Sequence, residues 1–213
     1  MTKIDNPPRK RSVLLPVAGA LVAAVAAGAV LYGTLQPAGK TGGDCPADSA
    51  KLAAQLQPLA KGELAALRVA SEPRRAAPLA FERDGGEKLT LADFKGRALL
   101  LNLWATWCAP CVEEMPSLAV LSKTLAPDDI AVLPLSSDRG GVRGVEAFYQ
   151  EHNISGLPVL LDPKGTAAHA WHARGIPTSV IVDKQGRERA RLEGAADWST
   201  PAAAAIVRKL VAG

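Results

Sequence analysis

The sequence predicts an α/β domain with a mixed sheet, preceded by one transmembrane helix. Three observations carry that reading. From Leu79 onward, short apolar runs alternate with segments of helical spacing. Ala98 to Trp104, ALLLNLW, is nearly continuously apolar, the pattern of a central strand covered on both faces. Ser12 to Leu35 runs 24 residues without a charge; as a helix rising about 1.5 Å per residue it would cross a hydrocarbon core of roughly 30 Å.

The elements follow in order. Residues 1–11 carry Lys3, Arg9, Lys10 and Arg11 against Asp5 alone, which predicts a cytoplasmic tail, an anchor over 12–35 and everything later on the outer side of the inner membrane, in the periplasm. A cleavable signal peptide cut near Ala27-Gly28-Ala29 is the competing reading, but the apolar run exceeds the roughly 7–15 residues usual for one. The tail holds +3 of the formal +4, so about +1 remains for the rest and little argues for a nucleic-acid partner. Residues 36–50, QPAGKTGGDCPADSA, read as a periplasmic tether. Residues 51–75 read as a helical extension and linker: Leu52, Leu56, Leu59, Leu64 and Leu67 have helical spacing, Pro58 and Gly62 interrupt it, and Ser71 to Pro78 is the linker into the main domain, 76–213.

Within that domain, Leu79 to Glu82 and Lys88 to Leu91 flank Asp84-Gly85-Gly86, a hairpin signal. Strands are expected at 98–104, 130–135, 159–161, 178–182 and 189–193, and helices at 109–125, 142–152, 166–173 and 200–211, the last with Pro201 in its first turn. No internal repeat is visible.

The stretch Trp104 to Pro116, WATWCAPCVEEMP, holds two of the three cysteines. Cys108 falls where an apolar strand ends and a helix begins, so unpaired amide hydrogens and the positive end of the helix dipole favour its thiolate. It is the expected nucleophile. Cys111, one turn on, comes within disulfide reach and can resolve a mixed disulfide. Pro110 fits a first turn, where its missing N–H costs nothing. Zinc would need four ligands, and beyond the pair only Cys45, His152, His169 and His172 are available, without a finger spacing. Haem attachment would need His where Val112 stands. A copper-binding chaperone stays open as the alternative of another class.

The run WATWCAPC, with Pro116 five residues after Cys111 and Gly175-Ile176-Pro177-Thr178 far downstream, resembles a thioredoxin fold. Glu114, together with the additional helix and strand between Ile130 and Gly165, is similar to the membrane-anchored, periplasmic thioredoxin-like group that includes cytochrome c maturation proteins. NLWATWCAPCVEEMP, the anchor and the Gly62 to Leu67 extension are most similar to its TlpA-like thiol:disulfide interchange proteins, over roughly Gly62 to the carboxyl terminus. The resemblance implies a thioredoxin fold with an amino-terminal extension and an inserted α-helix/β-strand. It also implies that Cys108 attacks, Cys111 resolves and Pro177 forms a cis bond packed on the pair, with Trp107 and Trp104 around the site.

Thioredoxins proper carry a buried Asp six residues before the nucleophile; here Asn102 stands there and cannot titrate. Glu114 becomes the proton-handling candidate, whereas Glu113 is explained by the favourable dipole of a helix start. No cofactor is implied beyond a Cys108–Cys111 redox disulfide. The implied partners are disulfide-containing periplasmic proteins, such as a copper chaperone and an oxidase subunit, and a membrane thiol electron donor, in cytochrome oxidase copper-site assembly; apocytochrome c reduction is the alternative. No cysteine follows Cys111, so Cys45 is left to an intermolecular bond or a free thiol.

Overall fold

The computed structural model describes residues 46–212. The tail at 1–11, the anchor at 12–35 and the tether as far as Cys45 lie outside them. Among the described residues no helix is long and apolar enough to cross a membrane.

The chain enters through α1 (Pro46–Leu56) and a short 3-10 turn at Gly62–Ala66, then forms β1 (Arg68–Arg75), β2 (Ala80–Arg83), β3 (Lys88–Thr90) and β4 (Ala98–Trp104). There follow α2 (Ala109–Leu125), β5 (Ile130–Ser136), α3 (Gly141–Glu151), β6 (Leu160–Leu161), α4 (Thr166–Ala170), β7 (Thr178–Val182), β8 (Arg187–Glu193) and α5 (Pro201–Val211). The strands make one eight-stranded sheet in the order β1-β8-β7-β4-β5-β6-β2-β3. β4, β5 and β6 run parallel, and every other pairing is antiparallel. This is a thioredoxin-like α/β fold with a mixed sheet.

β4 shows why its sequence is apolar throughout. Because successive side chains point to opposite faces, Leu100 and Trp104 enter one core with Met115, Leu118, Ile206 and Leu210 from α2 and α5, while Leu99, Leu101 and Leu103 enter the other with Phe81, Leu133 and Trp171. Both faces are covered, and all seven β4 residues are buried.

Two expectations need correction. The expected linker at Ser71 to Pro78 is only partly one: residues 68–75 form the edge strand β1, antiparallel to β8, with an irregularity between Val69 and Arg74, and only residues 76–79 connect it to β2. Pro73 sits in that irregular stretch, where a missing ladder donor is tolerated, and the strand's polar composition suits an edge with one side in solvent. The tether also ends earlier than expected, since residues 46–50 already belong to α1. Leu56 and Leu64 are buried in the α2 and α5 core, so the extension is packed onto the domain.

Candidate active site

Cys108 occupies the residue that starts α2, in an extended conformation (φ −94°, ψ 101°), with Pro110 inside the first turn. Its backbone position is set by β4, whose buried run ends at Trp104, and by a tight turn in which Cys108 N–H donates to Ala105 O at 3.2 Å. Cys111 lies one turn into α2 with its Cα 5.2 Å from that of Cys108, and the two sulfurs are joined in a disulfide. The sulfurs differ in access: Cys108 is 7% exposed and Cys111 1%. Disulfide exchange requires reach of one sulfur only, and Cys108 is the one a partner can approach.

The loop before Cys108 is tied down by a residue the sequence did not single out. Asp138, just past β5, accepts from Thr106 N–H at 2.9 Å and from the Thr106 hydroxyl at 2.7 Å, and it also accepts from Ser136 Oγ at 2.6 Å. On the opposite side, the Ile176-Pro177 bond is cis and Pro177 is buried, and Ile176 O lies 3.7 Å from Cys108 Sγ. Trp107 is not packed in around the pair as expected; it is 70% exposed. Trp104 is core, fully buried against Phe148 and Tyr149.

One turn further along α2 from Cys111 is a buried polar cluster. Glu114, three residues past Cys111 and so on the same face of α2, is 2% exposed. The Trp198 indole N–H donates to Glu114 Oε1 in a short hydrogen bond. The Asn102 amide donates to Glu114 Oε2 at 3.3 Å and to Ser179 Oγ at 3.0 Å. Burial raises the Glu114 carboxyl to about 7, against the opposing effect of the Trp198 and Asn102 donors and the Ala196 backbone. Ser117 holds the Trp198 loop onto α2: its hydroxyl is 2.7 Å from Glu114 O and accepts from Trp198 N–H at 3.0 Å. Glu113 is exposed.

A carboxyl that ionises near neutrality, one turn from the enclosed sulfur, can take a proton from the Cys111 thiol or return one to it. His152, His169 and His172 are all exposed. Among the described residues no three His, Cys, Asp or Glu side chains gather so as to hold a metal ion.

Comparison with known proteins agrees with this geometry. Residues 73–190 match the AhpC/TSA family. The thioredoxin-like protein YneN of Bacillus subtilis is 37% identical over 117 residues, 54% of this chain and 67% of that protein. The thiol-disulfide oxidoreductase ResA of Bacillus thuringiensis is 31% identical over 109 residues, 51% of this chain and 62% of the relative. The chain thus spans two thirds of the length of the first of these curated relatives and less than two thirds of the second. Among solved structures, the exposed lipoprotein thioredoxin Etrx1 of Streptococcus pneumoniae is 27% identical, with a TM-score of 0.51 over 63% of this chain and 98% of that one.

Proposed function

The chain belongs to the AhpC/TSA family and is by class a thioredoxin-like thiol:disulfide oxidoreductase, and from that premise we propose that it reduces disulfides of partner proteins in the periplasm while tethered to the inner membrane. The observation that carries the chemistry is the Cys108–Cys111 disulfide at the start of α2, with the sulfur of Cys108 the more accessible. In the reduced protein the Cys108 thiolate attacks a partner disulfide, forms a mixed disulfide and releases one partner thiolate. Cys111, its proton taken by Glu114, then attacks Cys108 Sγ and releases the second partner thiolate. Two electrons pass to the partner, which takes up two protons, and the Cys108–Cys111 disulfide remains to be reduced by a membrane thiol donor. Pro177 and Pro110 are supporting residues of this site.

The uncharged run at 12–35 behind its basic cluster supports the tethered periplasmic placement. Similarity of NLWATWCAPCVEEMP and its flanking segments to TlpA-like proteins supports partners in respiratory oxidase copper-site assembly, namely a copper chaperone and an oxidase subunit.

Two measurements test this. Related dithiol proteins span about −270 to −120 mV; a Cys108/Cys111 couple toward the reducing end is expected, and one near the oxidising end would sink the reductive direction. The Cys111→Ser variant, unable to resolve, is expected to accumulate mixed disulfides through Cys108 with copper-site proteins. Their absence, with capture of apocytochrome c instead, would move the reading to cytochrome c maturation.

A further inference from the structure

Resting on the oxidoreductase reading above, we infer that the groove lined by Trp107, the residue preceding Cys108, is a docking surface for an acidic segment flanking the partner's disulfide. The groove has a volume of about 540 Å³ and is lined by Trp107, Arg139, Gly140, Pro163, Lys164 and Gly165, among others. These residues belong to the three loops that follow β4, β5 and β6, the parallel strands of the sheet. The carboxyl ends of parallel strands are where α/β sheets receive their ligands, and Cys108 lies at that same end.

The sign of the groove follows from where its charges point. Asp138, which also lines it, spends both carboxylate oxygens on Thr106 and Ser136. Asp162, next to Pro163, accepts from Thr166 N–H and Ala167 N–H at 2.9 and 2.7 Å and from the Thr166 hydroxyl at 2.7 Å, and so faces into α4. Both carboxylates keep their charge, but each is only 6% exposed and turned inward, so the charges a partner meets at the mouth of the groove are those of Arg139 and Lys164. Arg139 and Lys164 are exposed, and among the described residues neither pairs with a carboxylate. Two unpaired cations in a recess, with a 70% exposed Trp immediately before the nucleophile, match an extended peptide carrying Asp or Glu near its disulfide. The aromatic ring would supply the anchor and the cations the orientation and on-rate.

The experiment follows the reduced full chain in single turnover by its tryptophan fluorescence. It is given two disulfide-linked peptides that differ only in Asp or Lys at the residues flanking the cysteines, and each rate is divided by that for neutral bis(2-hydroxyethyl) disulfide. At low salt the Asp peptide should react about 10-fold faster than the Lys peptide. The ratio should collapse above 0.1 M salt, where screening shortens to about 10 Å. The Arg139→Glu/Lys164→Glu variant should invert it, and Arg139→Gln/Lys164→Gln should flatten it. Equal normalised rates in the unaltered chain, or a preference that survives both variants, overturns the groove while leaving the oxidoreductase reading intact. Failure to reduce bis(2-hydroxyethyl) disulfide overturns that reading, and the groove with it.

Discussion

Glu114 is held by side chains from two other elements: Asn102 from the middle of β4 and Trp198 from the loop before α5. The indole can only donate, so it favours the carboxylate; the amide is two-sided. Its Nδ2 donates to Glu114 and Ser179, while its buried Oδ1 has no partner among the described residues. Half a turn of that amide offers Oδ1 to a protonated Glu114, so Asn102 can serve both states where the Asp of thioredoxins proper would add a second charge. Trp198→Phe removes the larger of the two side-chain effects that favour the carboxylate. Because a hydrogen bond to a charged group is worth about 1.5–3 kcal/mol, the Glu114 carboxyl should titrate about one to two pH units above its present value of about 7, read directly by carbon NMR titration of the labelled side chain. An unmoved titration would remove Trp198 from the cluster's chemistry. Glu114 was legible in the sequence because its spacing from Cys111 is local. Trp198 was not: its partner is 84 residues away and is chosen by how α5 packs.

At the scale of elements, legibility tracked burial. The strand at 98–104, the helix at 109–125 and the strand at 178–182 lie where their apolar patterns place them. β1 does not announce itself, since RVASEPRR has no alternation and contains Pro73; it is a strand because the β8 edge offers it unpaired backbone groups. The extension is held by apolar anchors too: Leu56 is 2% exposed, in one core with residues of α2 and α5. Leu56→Ala should cost about 2–5 kcal/mol, as large-to-small core changes do, measured by urea unfolding of the oxidised protein. A loss within about 0.5 kcal/mol, the usual range for surface substitutions, would mean that α1 is an ornament on the domain.

Over the whole molecule, the sheet puts reactivity and its regulation at one end, with Cys108 at the rim and Glu114 sealed in the layer between sheet and α2. That sealing has a global signature. The Glu114 carboxyl is raised from its ordinary 4.5 to about 7 in the folded protein, so between those values the native state binds a proton that the unfolded chain has released. Stability is thus fully present below about pH 4.5 and falls as pH rises through about 7, flattening beyond. The 2.5-unit difference corresponds to about 3 kcal/mol at about 1.4 kcal/mol per unit. Glu114→Gln cannot ionise, and Asn102 can turn its amide to meet the new one, so the variant escapes this loss. Unfolding free energies of the oxidised wild-type and Glu114→Gln proteins should differ little more at pH 4.5 than a neutral swap requires. The variant should then gain on the wild type by about 3 kcal/mol by pH 8, while the pH dependence of its disulfide reduction flattens through neutrality. Parallel stability curves from pH 4.5 to 8 would show that Glu114 ionises in the fold at its ordinary value, and it would then hold no proton near neutrality to exchange with Cys111.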